Sequence, residues 1–249
     1  MAQASSETIA VLNDRVSVRK FSDRVVEDYL VDEVLRAAFR APTSSNIQTY
    51  SVIKVKDPQS RAALAKVAGN QQHIIDCPVY LAFCADLTRI EYAMHRNGHS
   101  LENNNFEMGL VSSIDAALVG MAAYAAADSV GLKGVMIGAL RNDPKATAEI
   151  LGLPHRVYAV FGMCLGYPNE APPQKPRMSF DSVVHEDRYD SGKMAAFVDA
   201  YDLELSEHYR GQGRETTDDS WSGDVSAKFS VRPRDTLRQT LVDMGFDFA

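Results

Sequence analysis

Cysteine is scarce in this chain: Cys77, Cys84 and Cys164 are the only three in 249 residues. Their number is odd, their spacing is wide and no Cys-x-x-Cys pair occurs, which argues against a disulfide framework and against a thiolate zinc site. Each lies inside an apolar run, so all three are expected as reduced thiols in the core. The histidines His73, His95, His99, His155, His185 and His208 show no metal-ligand spacing, and no metal site is expected. The familiar catalytic and nucleotide fingerprints are missing too. There is no G-x-G-x-x-G, no Walker loop, no G-x-S-x-G and no H-E-x-x-H. Positive charge is in deficit, with 26 Lys and Arg against 33 Asp and Glu and a net charge of -7. A field of that sign opposes attraction to nucleic acid or anionic lipid. The start "MAQASSETIAVLNDR" lacks the basic head and long apolar run of a secretory signal. No clean apolar stretch of about eighteen residues is visible, so no membrane span is expected and the reading is cytoplasmic.

What is present is average for a soluble globular protein, with 45% hydrophobic and 24% charged residues and enough length for one large domain or two small ones. Residues 5–14 suit a short helix. In "EDYLVDEVLRAAFRAP", Leu30, Val34, Leu35 and Ala38 fall at helical spacing and Pro42 stops the pattern. "YSVIKV" (50–55), "VYLAFCA" (79–85), "KGVMIGAL" (133–140) and "RVYAVFGMCLG" (156–166) read as strands, the second covered on both faces. Asp57-Pro58 and Asp143-Pro144 are N-cap and first-turn pairs for two short helices that end near Gly69 and Gly152. Residues 86–107 look like a long polar surface excursion. The run from about 108 to 130 is apolar nearly all round, interrupted by Ser112-Ser113 and Asp115, and predicts a helix buried in the core or against a second subunit. After Gly166 the Pro-rich "YPNEAPPQKPRMSF" is expected to cross a surface, with a helix over about 191–210 and a mixed-charge tail. The class is α+β or α/β, a core over about 10–166 with an extended linker and C-terminal excursion over 167–249.

One knot of cations stands out from the acidic background. In "RVSVRKFSD", Arg15, Ser17 and Arg19 alternate, so an extended backbone would project all three to one side, as a seat for a small anion or as plain solvated surface. Thr43, Ser44, Ser45, Asn46 and Gln48 gather in "RAPTSSNIQTY" between a helix end and a strand. They could hydrogen-bond a polar heterocycle or phosphate, or merely cap the turn. "GNQQH" supplies Gln71 and His73, again with a helix cap as the alternative. "KPR" places Lys175 and Arg177 in an extended linker.

These pieces together, an Arg/Ser segment, Pro-Thr-Ser-Ser-Asn-x-Gln, Gln-x-His, Met-Ile-Gly-Ala and Lys-Pro-Arg, with "FCAD", "GLKGVMIGALRND" and "VFGMCLGYP" in order, resemble the FMN-dependent nitroreductase superfamily. The branch is that of the oxygen-insensitive NADPH nitroreductases and the NADPH-flavin oxidoreductases. The resemblance implies an α+β homodimer of single nitroreductase-like domains over 1–249, with a central mixed sheet flanked by helices, a long helix in the interface and a C-terminal extension wrapping the partner subunit. It implies an FMN phosphate on Arg15, Ser17, Arg19, Lys175 and Arg177, with Thr43, Ser44, Ser45, Asn46, Gln48, Gln71 and His73 around the cofactor. Met136, Ile137, Gly138 and Ala139 would run past the isoalloxazine, Gly138 allowing close backbone approach. The flavin would carry the hydride chemistry in a ping-pong cycle from NADPH or NADH to a small-molecule electron acceptor such as a nitroaromatic, a quinone or free flavin, with no side-chain nucleophile. Arg214 and Arg232 are the candidates for NAD(P)H, and Asp218 and Asp219 lie where further cations would favour NADPH. Alternatives are a flavin reductase feeding reduced FMN to a partner monooxygenase, and a non-catalytic flavin-binding protein.

Overall fold

The computed structural model of the chain describes residues 6–101, 106–214, 220–231 and 234–246. It divides into two compact units, Met1–Pro172 with Thr236–Ala249, and Pro173–Asp235.

The first unit is built on a four-stranded sheet in the order β1-β2-β4-β3, made of β1 (Tyr50–Lys54), β2 (Val79–Asp86), β3 (Lys133–Ile137) and β4 (Val157–Gly166). The four strands pair antiparallel throughout. Among the described residues, the parallel component expected of a mixed sheet is one isolated bridge, from Ser17 to Gly134 on the β3 edge. Alternation along β2 sends Tyr80, Ala82 and Cys84 to one core and Leu81 and Phe83 to the other. In β4 the parity switches. Val157 and Ala159 face the first core, whereas Phe161, Met163 and Leu165 face the second. The cause is a bulge: the register jumps between Phe83 and Cys84, leaving Val160 off the ladder, and its freed carbonyl accepts from Arg141 Nη1.

Helices α1 (Glu7–Asn13), α2 (Asp28–Ala38), α3 (Pro58–Val67), α4 (His73–Asp76), α5 (Thr88–Arg96), α6 (Phe106–Ser129) and α7 (Pro144–Leu151) belong to this unit. Val31, Val34, Leu35 and Ala38 form the buried stripe of α2, Val31 taking the place expected of Leu30. Asp57 and Asp143 cap α3 and α7 as expected, accepting from Ser60 N and Ala146 N, and Gly152 closes α7 with a left-handed φ of 64°. Beyond Ile137 the predicted strand over 133–140 turns into a 3-10 segment, Gly138–Asn142.

Residues 86–107 are not the continuous surface loop expected from their polarity. Thr88–Arg96 form α5, which starts where Asp86 accepts from Thr88 N and Thr88 Oγ1 and packs Ile90 and Met94 on a third core around Leu87, Tyr158 and Phe246. The apolar stripe is only one residue per turn wide, which hid the helix in composition. Helix α6 is long and apolar enough in length and composition to cross a membrane, but half of that stretch is buried inside the fold, with Val119, Ala123 and Ala127 against the sheet. Cys77, Cys84 and Cys164 are free and buried.

The second unit holds α8 (Phe180–Val183), α9 (Met194–Arg210) and α10 (Trp221–Phe229). Asp202 on α9 accepts from Ser222 N at 2.9 Å and from its hydroxyl, and Tyr201 meets Trp221 edge-on at 6.1 Å. The mixed-charge tail is thus partly helical, and its last helix, α11 (Leu237–Asp243), places Leu241 in the third core of the first unit.

Candidate functional site

Residues 15–22 run along the open β3 edge as an added extended segment. Val18 N donates to Gly134 O at 2.9 Å, and Tyr124 Oη on α6 contacts both Val16 O and Gly134 O at 2.7 Å. Val18 is 1% exposed and points into the core, so the alternating partners Ser17 and Arg19 project outward. Arg15 Nη1 reaches Ser17 Oγ at 3.5 Å, and its guanidinium sits 5.7 Å over the Tyr124 ring. Past this point the segment pairs with the stretch after β4: Ser22 N donates to Tyr167 O and Asn169 N to Lys20 O, both at 2.9 Å. Glu170 was not singled out by any motif, yet its Oε1 accepts from the backbone N–H groups of Arg19 and Lys20.

His73 opens α4 beside this segment. Its Nε2 is buried with no hydrogen-bond partner. Burial depresses its pKa below the usual 6.5, the Arg19 cation lowers it further, and Asp76 and Glu170 pull the other way. Arg19, Glu170 and His73 are therefore one electrostatic group. Gln71 spends an amide N–H on Ala68 O at 3.0 Å, closing the end of α3.

The turn at 43–49 carries three non-glycine residues in the left-handed region, Ser45 (φ 46°), Asn46 (φ 57°) and Gln48 (φ 52°). Ser44, Ser45, Asn46 and Gln48 are exposed and Thr43 is half-buried. Asp115 of α6, fully buried, accepts from Ser44 N and Thr49 N and from the Thr49 hydroxyl. Asp115 had looked like an interruption in an apolar helix; its buried position under a polar turn gives it a purpose that spacing could not reveal.

Met136 and Ile137 end β3, Met136 being 39% exposed on a strand whose neighbours are buried. A side-chain carbon on Gly138 would meet only the flexible Arg141 guanidinium, the nearest atom at 3.4 Å, so packing inside the chain does not require glycine there. Gly138 and Ala139 are half-buried. Helix α6 supports both halves of this region through Tyr124 and Asp115, which stand about 13 Å apart along its axis.

The second unit, taken by itself, holds the other predicted cations. Lys175 Nζ donates to Tyr209 Oη at 2.8 Å, and the Arg214 guanidinium lies 4.7 Å over the Tyr209 ring. Arg177 Nη1 donates to Lys175 O and Pro176 O. Arg232, Asp218 and Asp219 lie outside the described residues.

Residues 12–167 match the nitroreductase family, and residues 175–249 match its C-terminal domain. The chain belongs to the nitroreductase family. Among its nitroreductase relatives, an oxygen-insensitive NADPH nitroreductase of Salmonella typhimurium is 35% identical over 248 residues, covering 97% of this chain and 98% of the relative. An FMN reductase [NAD(P)H] of Bacillus subtilis is 33% identical over 246 residues, covering 97% and 98%. Among solved structures, B. megaterium NfrA2 superposes with a TM-score of 0.94 at 32% identity, covering 98% of this chain and 100% of that one. The NADPH:FMN oxidoreductase of Vibrio harveyi complexed with NAD+ gives 0.87 at 30% identity, covering 96% and 98%. The nitroreductase fold expected from the ordered sequence blocks is therefore the fold observed.

Proposed function

We propose that this nitroreductase is an FMN-dependent NAD(P)H oxidoreductase, and that FMN lies along the β3 edge between the 15–19 segment and the 43–49 turn. The observation that carries the reading is the joining of Arg15, Ser17 and Arg19 on one side of a segment pinned by Val18, beside a buried His73 nitrogen that lacks a partner. A phosphate fits the guanidinium forks and the hydroxyl, and a polar cofactor atom satisfies the histidine nitrogen.

Bound FMN supplies hydride acceptance from a nicotinamide and hydride delivery to an electron acceptor. The chain's own part is binding and orientation. Arg15 and Arg19 neutralise phosphate charge, and the Ser17 hydroxyl donates a hydrogen bond to a phosphate oxygen. The turn Thr43, Ser44, Ser45, Asn46 and Gln48, with Gln71, presents short polar groups. The Met136–Ala139 stretch leaves room for a planar ring because Gly138 has no side chain. Donor and acceptor using one open face in turn gives ping-pong kinetics, with nitroaromatics, quinones or free flavin as acceptors. Lys175 and Arg177 are proposed as further phosphate ligands and Arg214 as an NAD(P)H contact, on the family resemblance.

A homodimer is part of the proposal. Leu110, Ile114 and Leu118 repeat every fourth residue on α6 and are 40, 47 and 40% exposed, with Phe106 and Met121 extending the stripe. A second copy of the chain would cover it, and the reading is of a soluble, cytoplasmic enzyme.

The test is spectroscopic and kinetic. The purified protein should be yellow or become so with FMN, bleach anaerobically with NADPH or NADH, and regain colour with nitrofurazone or a quinone. Failure to bind FMN overturns the reading. Binding without bleaching reduces the protein to a flavin carrier.

A further inference from the structure

Two charged side chains outside the family motifs hold the backbone of the 43–49 turn and of the strand that follows it. Asp115 collects donors of the turn: Ser44 N at 3.1 Å, Thr49 N at 3.0 Å and the Thr49 hydroxyl at 2.8 Å. Arg89 of α5 holds the junction of the turn with β1, donating from Nη2 to Gln48 O at 3.0 Å and to Tyr50 O, and from Nη1 to Ser51 Oγ at 3.1 Å. Arg89 is itself held by Asp86, whose carboxylate also takes the Ser51 and Thr88 hydroxyls.

Ser45, Asn46 and Gln48, all left-handed, lie between the two amides that Asp115 accepts from, and Gln48 is also held by Arg89. A non-glycine residue in that region is strained, and three in one short turn persist only when the surroundings over-determine the backbone. An anion on the donors and a cation on the acceptors provide that determination. A fully buried carboxylate is expensive to retain in an apolar helix, and among the described residues its hydrogen bonds all run to this turn. Asparagine would offer one oxygen and turn its own N–H groups toward a donor.

We propose that Asp115 and Arg89 are positioning residues that lock the 43–49 turn in the shape that meets the cofactor. The proposal rests on the reading that this turn contacts FMN. It makes the cofactor seat preorganised before FMN arrives, so that binding does not have to supply the ordering of the turn.

Hydrogen exchange and FMN titration of the full-length apoprotein test it in wild type, Asp115→Asn and Arg89→Gln. In wild type, FMN should slow amide exchange over 43–49. In each variant, exchange over 43–49 should quicken at least tenfold while β2 stays protected, and the FMN Kd should rise tenfold or more. A merely structural role would instead raise exchange in β2 and the turn together and leave the Kd near wild type, which overturns the proposal. If FMN protects the turn in wild type but both variants bind it within twofold, the positioning role fails and the FMN reading survives. If FMN leaves 43–49 unprotected in wild type, the reading of the turn fails and the proposal with it. Should Asp115→Asn not fold, Arg89→Gln decides alone, since its side chain is 54% exposed and outside the core.

Discussion

The carboxylate of Glu170 accepts the backbone amide of Arg19 at 2.5 Å and that of Lys20 at 3.0 Å. One acidic side chain thus fixes the backbone of the basic segment, leaving the Arg19 guanidinium free to turn outward. Without it, two N–H groups lose a charged acceptor, worth about 1.5–3 kcal/mol for a bond to a charged group. Glu170→Ala is expected to loosen residues 17–21 and weaken FMN binding about tenfold, with Glu170→Gln recovering part of the loss because an amide oxygen still accepts. FMN fluorescence titration of the apoproteins measures this, and equal affinities for all three proteins would remove Glu170 from the site.

Arg19 and Lys20 are sequence neighbours with opposite expected effects. Val18 faces the core, so Arg19 shares the outward side with Ser17, and Arg19 is the cation whose charge acts on His73. Loss of a charge-assisted phosphate contact costs about 1.5–3 kcal/mol, or roughly a 10- to 150-fold weaker Kd. Arg19→Ala should show that loss, whereas Lys20→Ala should stay within about twofold. Equal losses would mean that alternation along the segment does not decide which cation meets the phosphate.

His73 gives the apoprotein a pH dependence whose sign is fixed. Its native pKa is pushed below 6.5, by burial first and by Arg19 second, so the unfolded chain takes up the proton more readily than the folded one. Stability from this group is complete above about pH 6.5 and is lost as pH falls through the native pKa. Thermal melts of the apoprotein between pH 7.5 and 5.5 should show Tm falling in wild type and falling less in His73→Gln. Parallel curves would show that His73 titrates alike in both states.

Much of this was legible in the sequence for identifiable reasons. Asp57-Pro58, Asp143-Pro144 and Gly152 are local signals whose meaning does not depend on tertiary packing, and the structure uses them as caps. The apolar runs of β2 and β4 marked both as strands, and that of β2 as a strand covered on both faces. Helix α5 was missed because Ile90 and Met94 alone carry its packing face. Asp115, Arg89 and Glu170 were missed for a different reason. Each acts on backbone amides or carbonyls of a segment far away in sequence, and a backbone partner leaves no residue-type signature.

The exposed stripe of α6 predicts a dimer that one charge should split. Leu118 closes the Leu110–Ile114–Leu118 row and is 40% exposed, so aspartate there leaves the folded chain's own core intact. Inside an apolar interface the same carboxylate would be buried without a partner, at a cost of several kcal/mol. Light scattering coupled to gel filtration should give wild type as a dimer and Leu118→Asp at half that mass. A wild-type monomer, or a dimer unaffected by the charge, would place the interface elsewhere.

Gly134 joins the sheet to the proposed phosphate segment, and an alanine there should damage both. Its carbonyl accepts from Val18 N and lies 2.7 Å from the Tyr124 hydroxyl, while a side-chain carbon would sit 1.9 Å from Cys164 O on β4. That neighbour is backbone in the middle of a ladder and cannot swing aside, so β3 must move away from β4. Overpacking costs about 1–3 kcal/mol, and at roughly 2–4 °C per kcal/mol for a chain of this size Gly134→Ala should lower Tm by roughly 2–12 °C. The displaced carbonyl also releases Val18, so FMN affinity should fall in the same variant even at temperatures where it is fully folded. Gly211→Ala is the control, since its φ is -61° and a side-chain carbon would find its nearest neighbour at 3.4 Å. If Gly134→Ala melts with wild type, β3 and β4 are not held as close as this geometry requires. If it melts early but binds FMN normally, the bridge from Gly134 to Val18 does not set the position of Ser17 and Arg19.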